Sequence, residues 1–249
     1  MNICVFDTET TSLDKPFCYD IGYTIINTEN WEALCSRSFV VEQIWHNLPL
    51  FQSAYYAEKR PLYVSAMRAR ASVMDKFGYI CQQMRRDFKQ YNVEGAYAFN
   101  SDFDEKVFNF NCDWYKCNNP FDNIPIFDIR GYAHKFIVGK AYKDFCDENS
   151  FYTDTGNYST TAETIYRFIT NNTDFNEAHT ALNDAEIESE ILYDCVQSGA
   201  ILNQEYKAFR SIEKEQEKTL HIRTVEQTDY YFDYKKIRIN KAKTEIVLK

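Results

Sequence analysis

Apolar residues in the first part of the chain fall into three blocks, residues 2–7, 17–27 and 33–42, with short polar stretches between them. Their β-branched and aromatic content predicts three strands, and connections this short favour an antiparallel meander over crossovers. Pro61 then opens a helical stretch expected to run to about residue 91. Its apolar positions Phe77, Ile80, Cys81, Met84 and Phe88 share one helical face. Arg85, Arg86 and Lys89 fall off that face and read as a solvated basic edge. Residues 96–99 predict a fourth strand, Ser101 a cap for a helix that starts at Asp102, and residues 125–129 a fifth strand. The polar stretch 140–158 reads as loop. A helix over 160–170 follows, then another whose stripe Leu182, Ala185, Ser189, Leu192 and Val196 ends at Gly199. Together these elements predict an α/β fold, a mixed five-stranded sheet flanked by helices on both sides. The sequence shows no internal repeat and no low-complexity segment.

Composition adds bounds. At 249 residues, with 45% hydrophobic and 16% aromatic content, the chain is long enough to bury one substantial core. The pattern divides it into a domain over residues 1–199 and an extension over 200–249, read as a helix plus a basic, aromatic hairpin. No apolar run approaches the roughly 20 residues that span a bilayer, and the N-terminal residues do not read as a signal peptide. The expectation is a cytoplasmic protein with no membrane partner. Eight cysteines are scattered through apolar segments with no CxxC pair, so they read as reduced core residues. Cys112 and Cys117 resemble half of a zinc site but have no second Cys/His pair at ligand spacing. The net charge is −9, yet residues 204–249 carry eleven basic against eight acidic side chains. An acidic body with a basic tail fits a protein whose bound cations, rather than its bare surface, meet phosphates; it fits a tight non-specific duplex binder poorly.

Five residues carry the chemistry. Asp7 and Glu9 end the first apolar run, and side chains at i and i+2 of a strand point to one face. Two buried carboxylates so close repel each other unless a cation compensates, and hard divalent cations take carboxylate oxygens. Asp104 lies in the first turn of the helix after the fourth strand, at the kind of strand end where open α/β sheets build sites. His179 precedes the last well-patterned helix and Asp184 lies inside it. Five helical steps would take the two off a common face, so His179 is expected to hang from the loop above Asp184. Four carboxylates and an imidazole at one strand end suit two-metal phosphoryl displacement, with the imidazole taking a proton from water. A strand-end acid pair, a helix-start acid and a loop histidine each have ordinary structural explanations, but none of these explains the five together. His46, His134 and His221 lack such company and read as structural or exposed, and Asp128 is not read as a ligand.

Phe6-Asp7-Thr8-Glu9-Thr10-Thr11, Asn100-Ser101-Asp102-Phe103-Asp104 and Ala178-His179-Thr180-Ala181-Leu182-Asn183-Asp184-Ala185 resemble the three motifs of the DEDDh branch of the DnaQ-like 3′→5′ exonucleases. The resemblance covers about residues 1–199. It implies an RNase H-like fold and two Mg²⁺ or Mn²⁺ ions held by Asp7, Glu9, Asp104 and Asp184, with His179 as general base. It also implies that the backbone around Thr10 meets the terminal 3′-hydroxyl and that Leu13 wedges against the terminal base. Ser12 departs from the glycine frequent in the family. The implied function is a metal-dependent 3′→5′ exonuclease releasing nucleoside monophosphates from single-stranded or frayed 3′ ends of DNA or RNA. A polymerase or other replication partner is compatible with it. RNA trimming, a binding module without turnover, and a toxin or host-attack nuclease are the alternative readings. In the extension, residues 230–239 interleave aromatic and basic residues as single-strand binders do. The plainer reading is an edge hairpin with Ile237 and Ile239 inward, Lys236 and Arg238 outward, and 244–248 as its partner.

Overall fold

In the computed structural model of the protein, the first apolar run becomes the strand on which everything else rests. In β1 (Asn2–Thr10), Ile3, Cys4, Val5 and Phe6 are all fully buried, so both faces of the strand are covered. That is why the run is continuous rather than alternating. The structure describes residues 1–209, together with the strands Thr219–Thr224, Asp229–Asp233 and Thr244–Val247.

β1 pairs antiparallel with β2 (Cys18–Asn27), which pairs antiparallel with β3 (Glu32–Val41), giving the expected meander. On the other side β1 pairs in parallel with β5 (Val93–Ala98), and β5 pairs in parallel with β6 (Ile126–Asp128). A further strand, β4 (Val73–Asp75), joins the outer edge of β3, so the sheet has six strands in the order β4-β3-β2-β1-β5-β6. The five-strand expectation missed β4 because three exposed-edge residues are too few to show a period of two. The same strand breaks the helix expected from Pro61 to about residue 91. Among α1 (Glu42–Trp45), α2 (Leu48–Gln52), α3 (Arg60–Arg68) and α4 (Phe77–Gln90), the last two take its place. Arg70, with φ of 60°, turns the chain between them.

Among the described residues the remaining helices are α5 (Ser101–Tyr115), α6 (Ile129–Phe136), α7 (Lys140–Asn149), α8 (Ala162–Thr170) and α9 (Ala181–Gln197). Helix α7 takes the first ten residues of the loop expected over 140–158, and 150–158 stay irregular; only Tyr142 and Cys146 of the helix are buried, too thin a stripe to stand out in a polar sequence. Ser101 does not cap α5. The cap position belongs to Asn100 in the left-handed region (φ 65°), and Ser101 is the first helical residue. Helix α9 ends as expected: the Gly199 N–H donates to the Val196 carbonyl and the Ala200 N–H to that of Cys195, with Gly199 at φ 99°.

Two cores lie on opposite faces of the sheet. Cys4, Phe6, Tyr23 and Ile25 pack with Phe77, Ile80 and Met84 of α4 and Phe108 of α5. Ile3, Val5, Ile26 and Tyr97 pack with Tyr132 of α6 and Ile191 and Leu192 of α9. Among the described residues no helix is long and apolar enough to cross a membrane.

Beyond α9 the chain stays on the body through Phe209. The Tyr97 hydroxyl donates to Asn203 Oδ1 at 2.7 Å, and the Phe209 N–H donates to His134 Nδ1 at 2.8 Å. Residues 201–209 are not helical, and the helix expected in the extension otherwise falls outside the described residues. Among the described residues of the extension, β7 (Thr219–Thr224), β8 (Asp229–Asp233) and β9 (Thr244–Val247) form a separate antiparallel sheet in the order β8-β7-β9. Among the described residues β9 pairs with β7, as β8 does, and the expected pairing of 236–239 with 244–248 falls outside them. Lys236, Ile237, Arg238 and Ile239 lie outside the described residues.

Candidate active site

The site forms where β1 runs out from between its two cores. Asp7 and Glu9 follow the Ile3 and Val5 side of the strand, which faces α9. Asp7 stands opposite Gly22 of β2 and Glu9 opposite Asp20. Gly22 is needed for the close approach of α9: a Cβ there would sit 1.9 Å from the Leu182 nitrogen and 2.2 Å from the Ala181 carbonyl carbon. Asp20 then fixes the helix end. Its Oδ2 accepts from the Ala181 N–H at 2.8 Å and from the Tyr63 hydroxyl at 2.9 Å. Seated this way, α9 brings Asp184 in, and carboxylate oxygens of Asp7, Glu9 and Asp184 lie within 4.8 Å of one another.

Asp104 lies on the other side of the strand, outside the group within 4.8 Å. Thr8, between Asp7 and Glu9, points the opposite way and donates its hydroxyl to Asp104 Oδ1 at 2.6 Å. The turn that carries α5 is braced by Asp128, whose Oδ1 accepts from the Asn100 N–H at 2.8 Å and the Arg130 N–H at 3.0 Å. His179, at φ 49°, hangs from the loop before α9. It forms a second group with Glu177 and Asp184, again within 4.8 Å. Its Nδ1 faces Glu177 Oε2 at 3.4 Å, and its ring stacks on Tyr56 with centroids 4.4 Å apart. Lys59 lies over the same tyrosine and donates to the Ala178 carbonyl at 2.5 Å, pinning the loop.

The electrostatics are lopsided. Burial pushes Asp7, Glu9, Asp104 and Asp184 above the ordinary carboxylate range. Asp104 and Glu188 add to the effect at Asp7, Asp184 adds at Glu9, and Glu177 adds at Asp184. Lys59 works against it at Glu9 and Asp184, as the Thr8 hydroxyl does at Asp104. Asp184 Oδ1 is buried without a hydrogen-bond partner. An all-oxygen set with a surplus of negative charge and an unsatisfied oxygen fits a hard divalent cation. His179 moves the other way: burial, then Lys59, holds its pKa below the ordinary value.

The structure thus brings together Asp7, Glu9 and Asp184, sets His179 against Asp184, and hydrogen-bonds Asp104 to the intervening Thr8. Thr10 ends β1, with its hydroxyl donating to the Ser12 carbonyl at 3.3 Å. Leu13 is 76% exposed, and Lys106 donates to its carbonyl at 2.9 Å. Ser12 closes the turn it occupies, bonding the Lys15 carbonyl and N–H through one hydroxyl.

Several neighbours escaped the sequence reading. The buried residues of α9 are Ala181, Asp184, Ala185, Ile187, Glu188, Ile191, Leu192 and Cys195. The stripe expected from hydropathy shares only Ala185 and Leu192 with them, because two of the buried positions are carboxylates. Glu188, one turn after Asp184, is buried and accepts from the Phe99 N–H at 3.1 Å. Its i+4 spacing from Asp184 was the available signal. Glu177, Tyr56 and Lys59 had none, since nothing in their own segments points to His179.

No protein-family model matches the sequence, and no curated protein matches it. Solved structures do. The nuclease domain of 3′hExo, a DEDDh family member bound to rAMP, aligns with a TM-score of 0.55 at 15% identity, covering 86% of this chain and 96% of that one. The 3′-exonuclease solved for 3′-end-specific recognition of the histone mRNA stem-loop gives 0.54 at 12%, covering 100% and 76%. E. coli Exonuclease I in complex with a dT13 oligonucleotide gives 0.51 at 14%, covering 79% of this chain and 41% of that one. With the helices, the mixed sheet and the motif order in place, the chain has the fold of the DnaQ-like DEDDh exonucleases.

Proposed function

We propose that this protein is a metal-dependent 3′→5′ exonuclease that removes nucleoside 5′-monophosphates from single-stranded or frayed 3′ ends. The observation that carries the reading is the convergence of Asp7, Glu9 and Asp184 within 4.8 Å, beside His179, at the end of a buried strand. Asp7, Glu9, Asp104 and Asp184 would hold two Mg²⁺ or Mn²⁺ ions. When bound, such ions supply Lewis-acid stabilisation of the charge that builds on the phosphoryl oxygens.

The chain's own residues do the rest. His179, with Nδ1 turned to Glu177 and its ring held flat against Tyr56, accepts a proton from the attacking water at Nε2. Water adds to the terminal phosphate, the bond to the 3′-oxygen of the penultimate nucleotide breaks, and that oxygen takes up a proton as the new 3′-hydroxyl. Thr10 meets the terminal 3′-hydroxyl through its backbone. Leu13, exposed on a turn that Lys106 holds, stacks against the last base.

A 5′-labelled single-stranded DNA and RNA ladder with Mg²⁺ or Mn²⁺ tests the reading. Both sugars belong in the test, since the structural neighbours were solved with rAMP, an RNA stem-loop and dT13. The expected result is shortening from the 3′ end, lost with EDTA, and slowed about 10²–10⁴-fold by His179→Ala. Intact polymer of both kinds, with metal binding demonstrated separately, would point instead to a binding module without turnover.

A further inference from the structure

On the face of the sheet away from α9, three cysteines come together that are far apart in sequence. Cys81 lies on α4, Cys112 in the last turn of α5, and Cys117 just beyond it; their sulfurs lie within 4.8 Å of one another. The convergence depends on one backbone feature. Lys116 adopts φ 53° at the end of α5, which turns the chain so that the Cys117 N–H donates to the Cys112 carbonyl at 3.1 Å and its thiol comes back over the helix. Gly78 leaves the room on the other side: a Cβ there would lie 3.4 Å from Cys117 Cβ.

We propose that Cys81, Cys112 and Cys117 form a binding site for a thiophilic d¹⁰ cation, Zn²⁺, separate from the carboxylate cluster. A tetrahedral Zn–S length of about 2.3 Å puts neighbouring sulfurs roughly 3.8 Å apart, and the three sulfurs already lie within 4.8 Å of one another. Cys81 and Cys112 are buried and Cys117 is half-buried, so solvent meets the cluster at Cys117, where water would complete the fourth position. Among the described residues no fourth Cys, His, Asp or Glu joins the group. Three thiolates and Zn²⁺ leave one negative charge, and Arg85, one turn along α4 from Cys81, places its positive charge on Cys117. The carboxylate cluster is chemically unlike this site: its oxygens suit hard cations, whereas thiolates select soft ones. Bound zinc would clamp α4 to α5 and to the turn that follows, so it stabilises the body without taking part in hydrolysis.

The full chain, purified with a reductant and a soft chelator and held in excess Mg²⁺, is titrated with Co²⁺. The expected result is sulfur-to-cobalt charge-transfer absorption that saturates at one Co²⁺ per chain and disappears on adding one equivalent of Zn²⁺. Cobalt held by carboxylates gives no such band. Cys117→Ser, at the half-buried position that folding tolerates best, should abolish the band, as should Cys81→Ser. Cys35→Ser, a half-buried cysteine outside the group, should leave it intact. Zn²⁺ should also raise the Tm of the wild-type chain and not that of Cys117→Ser. Absence of the band in a folded chain whose thiols all titrate as reduced would overturn the proposal, as would its survival in Cys117→Ser.

Discussion

Two buried carboxylate regions of this protein are handled in opposite ways. Asp87 of α4 is 1% exposed, yet it accepts from Arg37 Nε at 2.5 Å, the Tyr23 hydroxyl at 2.6 Å and Gln83 at 2.9 Å. Burial alone would raise its pKa, but these partners outweigh burial and hold it below the ordinary value. At the end of β1, burial holds Asp7, Glu9, Asp104 and Asp184 high, with repulsion from neighbouring carboxylates added to each. A structural carboxylate brings its counter-charge from within the chain. Among the described residues the strand-end cluster lacks such a counter-charge close by, and this contrast separates it from ordinary buried polar groups.

The largest expected effect comes from exchanging the same substitution between the two regions. Asp184→Asn should cut hydrolysis on the order of 10⁴-fold, the several kcal/mol that bound metal contributes. In EDTA it should leave the Tm unchanged or raised, because it removes one of the repelling charges. Asp87→Asn should do the reverse, lowering the Tm and sparing turnover. If Asp184→Asn instead destabilised the metal-free protein as Asp87→Asn does, the contrast would collapse.

His134 extends the comparison to a buried base. It is 5% exposed and accepts the Phe209 N–H; burial, and then Arg130, lower its pKa to about 4. The unfolded chain therefore binds a proton that the folded chain refuses between about pH 6.5 and 4. The stabilisation is present above the unfolded value and is lost as pH falls through this window, by about 3 kcal/mol at its lower end. Urea midpoints across that range should show the loss in the wild-type chain and not in His134→Gln, which keeps an acceptor but does not titrate. Proteolysis near Phe209 should rise in parallel.

Smaller effects test how each region is held. Gly22→Ala should cost about 1–3 kcal/mol by lifting the start of α9 off β2. It should also reduce metal affinity, measured by calorimetry, because Asp184 moves with the helix. Arg37→Met should cost about 1–2 kcal/mol in stability, discounted because the guanidinium is part exposed, and leave turnover unchanged. A loss of activity in Arg37→Met comparable to its loss of stability would argue against separating the two regions.

The thiol group shows the limit of local reading from another side. Cys112 and Cys117 looked like half a site without a partner; Cys81 supplies the third thiol from a helix that packs alongside. Sequence spacing detects ligands that share a loop and is blind to those that meet through packing.

The sequence by itself determined the buried strand ending in two acids, the meander after it, the apolar face of α4 and the helix α9, and it singled out the carboxylates and the histidine that the fold then arranges. Each of these rests on a short-range period or on rare residue types in a fixed order. Only the tertiary structure decided how the set meets. Gly22 and Asp20 of β2 seat α9 so that Asp184 reaches Asp7, Thr8 reaches over the strand to Asp104, and Tyr56 and Lys59 fix the His179 loop. It also added β4, whose three residues show no period, and placed Glu188 inside the apolar stripe of α9. The physical reason is the same throughout. Periodicity reports which way a side chain points from its own backbone, whereas a site is made by distances between backbones, and these are set by packing across the sheet.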